Sequence, residues 1–173
     1  MNKIDKSEEQ FMKLALVLAA KAAAMGETPV GAVVVQSGKV IGTGHNLVEA
    51  ETDPTAHAEI VALREAARFN GDWRLPQATV YVTLEPCVMC AAALLHARVK
   101  RLVFGARDLR WGGVGSLFDL SHDPRLNHEL EVVSGIMENE SAELLRRFYE
   151  TLRQDAGCLN QPKRRDAREA EGG

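Results

Sequence analysis

Cysteine is scarce in this chain of 173 residues: there are three, Cys87, Cys90 and Cys158. So small and odd a number excludes a disulfide scaffold. Long apolar runs are lacking too. The longest spans nine residues, Cys87 to Leu95, about half of what a membrane-crossing helix needs. The first ten residues, MNKIDKSEEQ, hold three acidic side chains and no apolar stretch or small-residue cleavage site, unlike a signal peptide. A cytoplasmic protein with no membrane partner is the expectation. There is no large excess of one charge: 21 Lys+Arg stand against 24 Asp+Glu, a formal net charge of -3. The total therefore does not advertise a nucleic-acid partner. Residues 7–156 contain no internal repeat and no Gly/Ser linker.

What is present is ordinary for a globular protein: 46% hydrophobic and 26% charged residues. A chain of this length buries about 70% of its unfolded surface and needs no covalent staple. Ser7-Glu8-Glu9-Gln10 reads as a capping box, followed by Phe11, Leu14, Ala15, Leu18 and Ala22 at helical spacing, with Gly26 as a stop. Val30–Gln36 and Lys39–Gly44 flank a Ser37-Gly38 turn and predict a hairpin. A polar loop over 46–55 leads to a helix over 56–69, with Ala56, Ile60, Leu63 and Ala67 on its inner face. ATVYVT (78–83) reads as a buried strand, 87–97 as a helix, 100–105 and 131–134 as strands, and 138–154 as a last helix. Gly112-Gly113-Val114-Gly115 reads as a mobile loop. Strands separated by helices imply partly parallel pairing with helices on both faces. The expected class is α/β, a three-layer α/β/α sandwich on a mixed five-stranded sheet, in one domain over 1–156. A charged tail over 157–173 reads as disordered.

Charge is uneven along the chain. Residues 1–60 carry net -3, 61–130 net +2 and 131–173 net -2. Arg98, Lys100, Arg101, Arg107 and Arg110 stand against Asp108 alone, net +4 in thirteen residues. Such a window steers a phosphate backbone or is simply one solvated surface.

Chemistry concentrates in two segments. Cys87 and Cys90 stand three apart at the start of a helix, behind Pro86. On one helical face such a pair suits two thiolates closing on one ion, and the helix N-terminus favours thiolate over thiol. C-x-x-C alone leaves a metal site, a redox pair or chance packing open. His57 narrows this, because its helix is expected to open at the same sheet edge. Two Cys and one His make three ligands. His45, His96, His122 and His128 have no spacing relation to them. Three protein ligands leave one position for water, the mark of a catalytic zinc. Glu59, two residues on, is placed for proton transfer, which compensates for the weak Lewis acidity of a zinc held by two thiolates.

His57-Ala58-Glu59 followed by Pro86-Cys87-Val88-Met89-Cys90 resembles the zinc-dependent cytidine/deoxycytidylate deaminase superfamily. Further stretches, TPVGAV (28–33), DPTAHAEI (53–60), YVTLEPCVMC (81–90), FGARD (104–108) and GSL (115–117), are similar to its bacterial tRNA-specific adenosine deaminase branch. The resemblance covers about residues 8–154 and implies a cytidine-deaminase-like fold. It implies hydrolytic deamination of adenosine to inosine at the wobble position of a tRNA anticodon, by zinc-activated water, in a homodimer that binds the anticodon stem-loop. His57, Cys87 and Cys90 match the family's zinc ligands, one Zn²⁺ per chain, and Glu59 its proton shuttle. Asn46 matches the amide that hydrogen-bonds the target nucleoside, and Val30 and Leu84 the walls of the base pocket. Asp108 matches a residue that contacts RNA beside the target, and Phe148 and Tyr149 aromatics that meet the anticodon loop.

The loop Leu47 to Asp53 departs from the family pattern: it is acidic where relatives often carry a basic residue. Two rivals remain. One is a deaminase of a free base or nucleoside, of guanine or cytosine type, which the same ligand set serves. The other is a binding protein with a structural zinc closed by Cys158.

Overall fold

Ser37 and Gly38 both adopt positive φ, 51° and 73°, the geometry that matches a two-residue hairpin to the twist of its strands. They join β1 (Gly31–Gln36) to β2 (Lys39–His45) in antiparallel register. In this computed structural model the backbone is described from Lys6 to Leu159 and side chains from Glu8 to Asp155. Around the hairpin the chain adds α1 (Lys6–Ala24), α2 (Val48–Glu51), α3 (Ala58–Asn70), β3 (Ala78–Leu84), α4 (Val88–His96), β4 (Arg101–Ala106), β5 (Glu131–Ser134) and α5 (Glu138–Leu159). The strand order is β2-β1-β3-β4-β5. β1 is antiparallel to both β2 and β3, while β3, β4 and β5 run parallel. This is the mixed five-stranded sheet expected from the sequence.

Both faces of the sheet are covered, and side chains alternate between them with the period of two that strands impose. Val34, Val80, Val82, Leu102 and Phe104 pack into the core beneath α3 and α4. Val33, Val35, Tyr81 and Val103 join Met12 and Ala15 of α1 and Ile136 ahead of α5 on the opposite face. Three layers result.

The inner face of α3 differs from the expected one. Ala58, Ala62, Leu63 and Ala66 are buried, whereas Ile60 and Ala67 are half-buried. The reason is the partner surface. A Cβ on Gly44 would lie 2.6 Å from Ala62 N, and one on Gly42 would lie 2.7 Å from Ala66 N. Small residues on both sides let helix and strand backbones meet, so alanines rather than the larger Ile60 take the seam.

Two other expectations change. The polar segment over 46–55 contains the single turn α2, because Ala50 N–H is held by the Glu27 carboxylate at 2.8 Å. The glycine-rich segment at 112–115 is no mobile loop: Gly112, Gly113 and Val114 are buried. Val114 N and Ser116 N donate to Glu85 Oε1 at 3.3 and 3.0 Å, and Ser116 Oγ bonds the same carboxylate. A Cβ on Gly112 would stand 2.6 Å from that carboxylate, so glycine here provides room, not motion. α5 continues to Leu159, past the expected end at 154. The rest of the charged tail, with Lys163-Arg164-Arg165, lies outside the described residues.

Gly44→Ala pushes α3 off β2, an overpacking cost of about 1–3 kcal/mol. At about 2–4 °C per kcal/mol the melting temperature falls by roughly 2–12 °C. A calorimetric midpoint within about a degree of the parent protein would show that the seam tolerates the methyl group.

Candidate active site

β2 and β3 point the same way because β1 runs antiparallel to each. Their carboxyl ends therefore share one sheet edge, and α3 and α4, which follow them on one face, both open there. His57 is the N-cap of α3, with extended φ -71° and ψ 154°. It is set by the turn before it, in which Thr55 N and Oγ1 both donate to Asp53 Oδ1, at 2.8 and 2.7 Å. Cys87 is the N-cap of α4, with φ -66° and ψ 171°, and Cys90 lies in its first turn. As N-caps, His57 and Cys87 lie off the helical path. The divergence that regular spacing would give His57 and Glu59 therefore does not arise.

His57 Nδ1 is 3.7 Å from Cys87 Sγ and 3.5 Å from Cys90 Sγ, and all three donor atoms lie within 4.8 Å of one another. A tetrahedral zinc with its usual bond lengths holds S and N ligands about 3.6 Å apart. The spacing thus fits zinc closely, and this trio is the metal-ligating cluster found among the described residues. The Cys90 thiol, hydrogen-bonded to Cys87, brings the Cys87 pKa down to about 4, and its own is pushed up. The Cys87 sulfur raises the imidazole pKa of His57. Cys158 lies outside the described side chains.

Cys90, beside His57, is fully buried, and His57 and Cys87 line a cleft of about 660 Å³. Glu59, from the first turn of α3, lines it and is only 4% exposed. Burial raises its carboxyl pKa to about 7. Asn46, Val30, Leu84, Asp108, Phe148 and Tyr149 all line the same cleft. The structure thus brings together every site residue singled out in the sequence. Asn46 Nδ2 donates to Glu27 Oε2 at 2.9 Å. A carboxylate partner fixes the amide orientation and leaves Asn46 Oδ1 as an acceptor. Asp108 Oδ1 accepts from Arg110 N and Trp111 N at 2.9 and 3.2 Å. Phe148 and Tyr149 meet edge to face, with ring centroids 5.4 Å apart.

Three cleft residues were not legible in advance: Glu27, Glu85 and Trp111. Glu27 and Glu85 flank the Thr28-Pro29 and Pro86-Cys87 motifs, and an acidic residue buried beside each motif was the available signal. The basic window divides. Arg101 sits between Glu8 and Glu131, at 2.5 and 2.9 Å, and Arg98 Nη1 bonds Asn127 Oδ1 at 2.9 Å. β4 separates these from Arg107 and Arg110 at its other end.

Residues 5–106 match the model of the cytidine and deoxycytidylate deaminase zinc-binding region. The chain belongs to this deaminase family. A zinc-dependent hydrolytic enzyme, with zinc as its cofactor, follows from that membership, and His57, Cys87 and Cys90 are positioned to hold the ion. The chain is 50% identical over 149 residues to the tRNA-specific adenosine deaminase of Haemophilus influenzae, covering 86% of each. It is 47% identical over 146 residues to that of Bacillus subtilis, covering 84% of this chain and 91% of the relative. A solved structure from work on A-to-I editing by tRNA:A34 deaminases at the wobble position matches with a TM-score of 0.77 at 48% identity. It covers 79% of this chain and 99% of that one. The guanine deaminase of Nitrosomonas europaea is a more distant deaminase neighbour, with a TM-score of 0.69 at 26% identity over 82% of this chain and 84% of that one.

Metal analysis by mass spectrometry is expected to find about one zinc per chain. His57→Ala and Cys87→Ala should each retain less than about a tenth of it. Full zinc content in either variant would remove that residue from the ligand set.

Proposed function

We propose that the protein deaminates adenosine to inosine at the wobble position of a tRNA anticodon. The observation that carries this reading is one cleft whose lining holds His57 and Cys87 of the metal-binding trio together with the aromatics Trp111, Phe148 and Tyr149. A free base does not need so wide a site, whereas a nucleotide splayed out of a loop does. The tRNA-specific relatives, at 47% and 50% identity, support it further.

His57, Cys87 and Cys90 hold the zinc, which when bound supplies Lewis acidity that brings the pKa of water toward neutrality. Glu59 takes a proton from the attacking water. It gives that proton to N1 of the purine, then takes the second proton from the oxygen added at C6 and passes it to the amine, so that the C6–N bond breaks, ammonia leaves and C6 keeps a carbonyl oxygen. A carboxyl with a pKa near 7 suits both directions of transfer. Asn46, anchored by Glu27, offers its Oδ1 to the nucleoside. Val30 and Leu84 flank the base. Asp108 meets the neighbouring RNA through Oδ2, since Oδ1 is engaged within its own turn. Phe148 and Tyr149 meet the anticodon loop.

The unit that does this is the domain over 1–156, acting in the cytoplasm on the anticodon stem-loop. No helix among the described residues is long and apolar enough to cross a membrane. A homodimer accounts for Leu109, Leu117 and Phe118, which are 78%, 52% and 55% exposed on one segment.

Incubated with an anticodon stem-loop carrying a wobble adenosine, the protein should yield inosine by nucleoside analysis, with guanine, adenine and cytosine as parallel substrates. Ammonia from a free base alone would favour the guanine-deaminase type of reaction instead. Glu59→Gln should keep zinc and melting temperature while kcat falls by about 10²–10⁴. Turnover within threefold or so of the parent would reject Glu59 as the proton carrier.

A further inference from the structure

We propose that Trp111 is a substrate-contact residue, its indole the stacking surface for the base that adjoins the reacting nucleoside; this rests on the RNA reading above. The first ground is electrostatic. The charged residues lining the cleft are Glu27, Glu49, Glu59, Glu85 and Asp108, and no lysine or arginine is among them. Ion pairs with phosphate therefore do not hold the substrate inside the cleft, and contact with base faces must. Base stacking on an aromatic ring is the strong interaction of that kind.

The second ground is placement. Trp111 lines the cleft and is nevertheless 66% exposed. The other tryptophan, Trp73, is already occupied: His96 stacks on it at 5.4 Å and 20°, and the Arg74 guanidinium lies 4.3 Å from its ring centre. No such ring or cation contact engages Trp111 among the described residues.

The third ground is rigidity. Trp111 N and Arg110 N are bound by Asp108 Oδ1, and Gly112 N by Asp108 O at 2.9 Å. Asp108 N donates in turn to Glu85 Oε2 at 3.1 Å, and the same buried carboxylate holds Val114 and Ser116 beyond. A large ring on a backbone fixed from both sides loses little freedom on meeting a ligand, which is what a stacking platform requires.

Three measurements test this. Trp111→Ala should lower kcat/KM on the stem-loop by about 5- to 100-fold, mainly through KM, with Trp111→Phe within about threefold of the parent. On stem-loops made abasic at either flanking position in turn, one of the two should abolish the difference between Trp111→Ala and the parent. In Trp73→Phe, where Trp111 is the sole remaining tryptophan, stem-loop binding should quench the indole fluorescence. Unchanged kinetics in Trp111→Ala, an equal loss on both abasic substrates, or a loss that tracks a fall from dimer to monomer in sedimentation would each overturn the proposal. A stem-loop that binds without quenching overturns it even if Trp111→Ala fails to fold. If the parent protein deaminates no RNA at all, the functional reading itself fails and takes this proposal with it.

Discussion

Everything chemical in this molecule depends on two helix N-termini opening side by side at one sheet edge. That arrangement follows from β1, which runs antiparallel to both neighbours and so makes β2 and β3 point the same way. It also needs α3 to lie close on β2, which Gly42 and Gly44 allow by having no side chain where the Ala62 and Ala66 backbone passes. The unpaired N–H groups and the dipole at each N-terminus then favour negative charge. A bound divalent ion would draw both Cys87 and Cys90 to thiolates in that field, and two thiolates would nearly neutralise it. The resulting weak Lewis acid explains why a buried carboxyl, Glu59, accompanies the trio. The fold, the donor trio and the buried carboxyl beside it are consequences of one geometry.

The parts of this geometry that short sequence patterns encode were legible. Hairpin, strands and helices lie within a few residues of where periodicity and turn residues put them, and His57, Cys87, Cys90 and Glu59 announced themselves by type and spacing. What was not legible depends on contacts between distant segments. Ile60 looked like a core residue because it is larger and more apolar than alanine, yet the close seam with β2 is made by Ala58, Val61, Ala62 and Ala66. Gly112 and Gly113 looked like flexibility because nothing local shows that the Glu85 carboxylate stands against them. The window from Arg98 to Arg110 looked like one basic patch because chain distance hides the length of β4, and because Glu8, 93 residues away from Arg101, is not visible from within the window.

The divided basic window and the acid-lined cleft together make a consistent electrostatic design. A polynucleotide carries its charge on phosphate and presents neutral bases. A cleft with carboxylates inside and Arg107 and Arg110 outside, both exposed, admits the base and keeps the backbone at the rim. A free nucleotide with a terminal phosphate gains nothing from such an interior. On the proposed function, a preference for an unstacked base in a loop would arise from where charge is absent as much as from any contact made.

Two carboxylates set the width of this opening without touching the reacting atoms. Glu27 bonds Asn46 and Ala50, tying β2 to α2 on one side. Glu85 bonds Asp108, Val114 and Ser116 on the other. All five of these partners donate hydrogen, so each position calls for a group that only accepts. An amide of the same shape would turn one N–H toward another and leave a buried donor unpaired, at a cost of about 1–3 kcal/mol. The two glutamates are buried, at 1% and 2% exposure. Acids of that kind in a cleft invite assignment as catalysts, but every bond they make is to the protein itself. Their work is to hold Asn46 and the Trp111 turn in place on either side of the cleft.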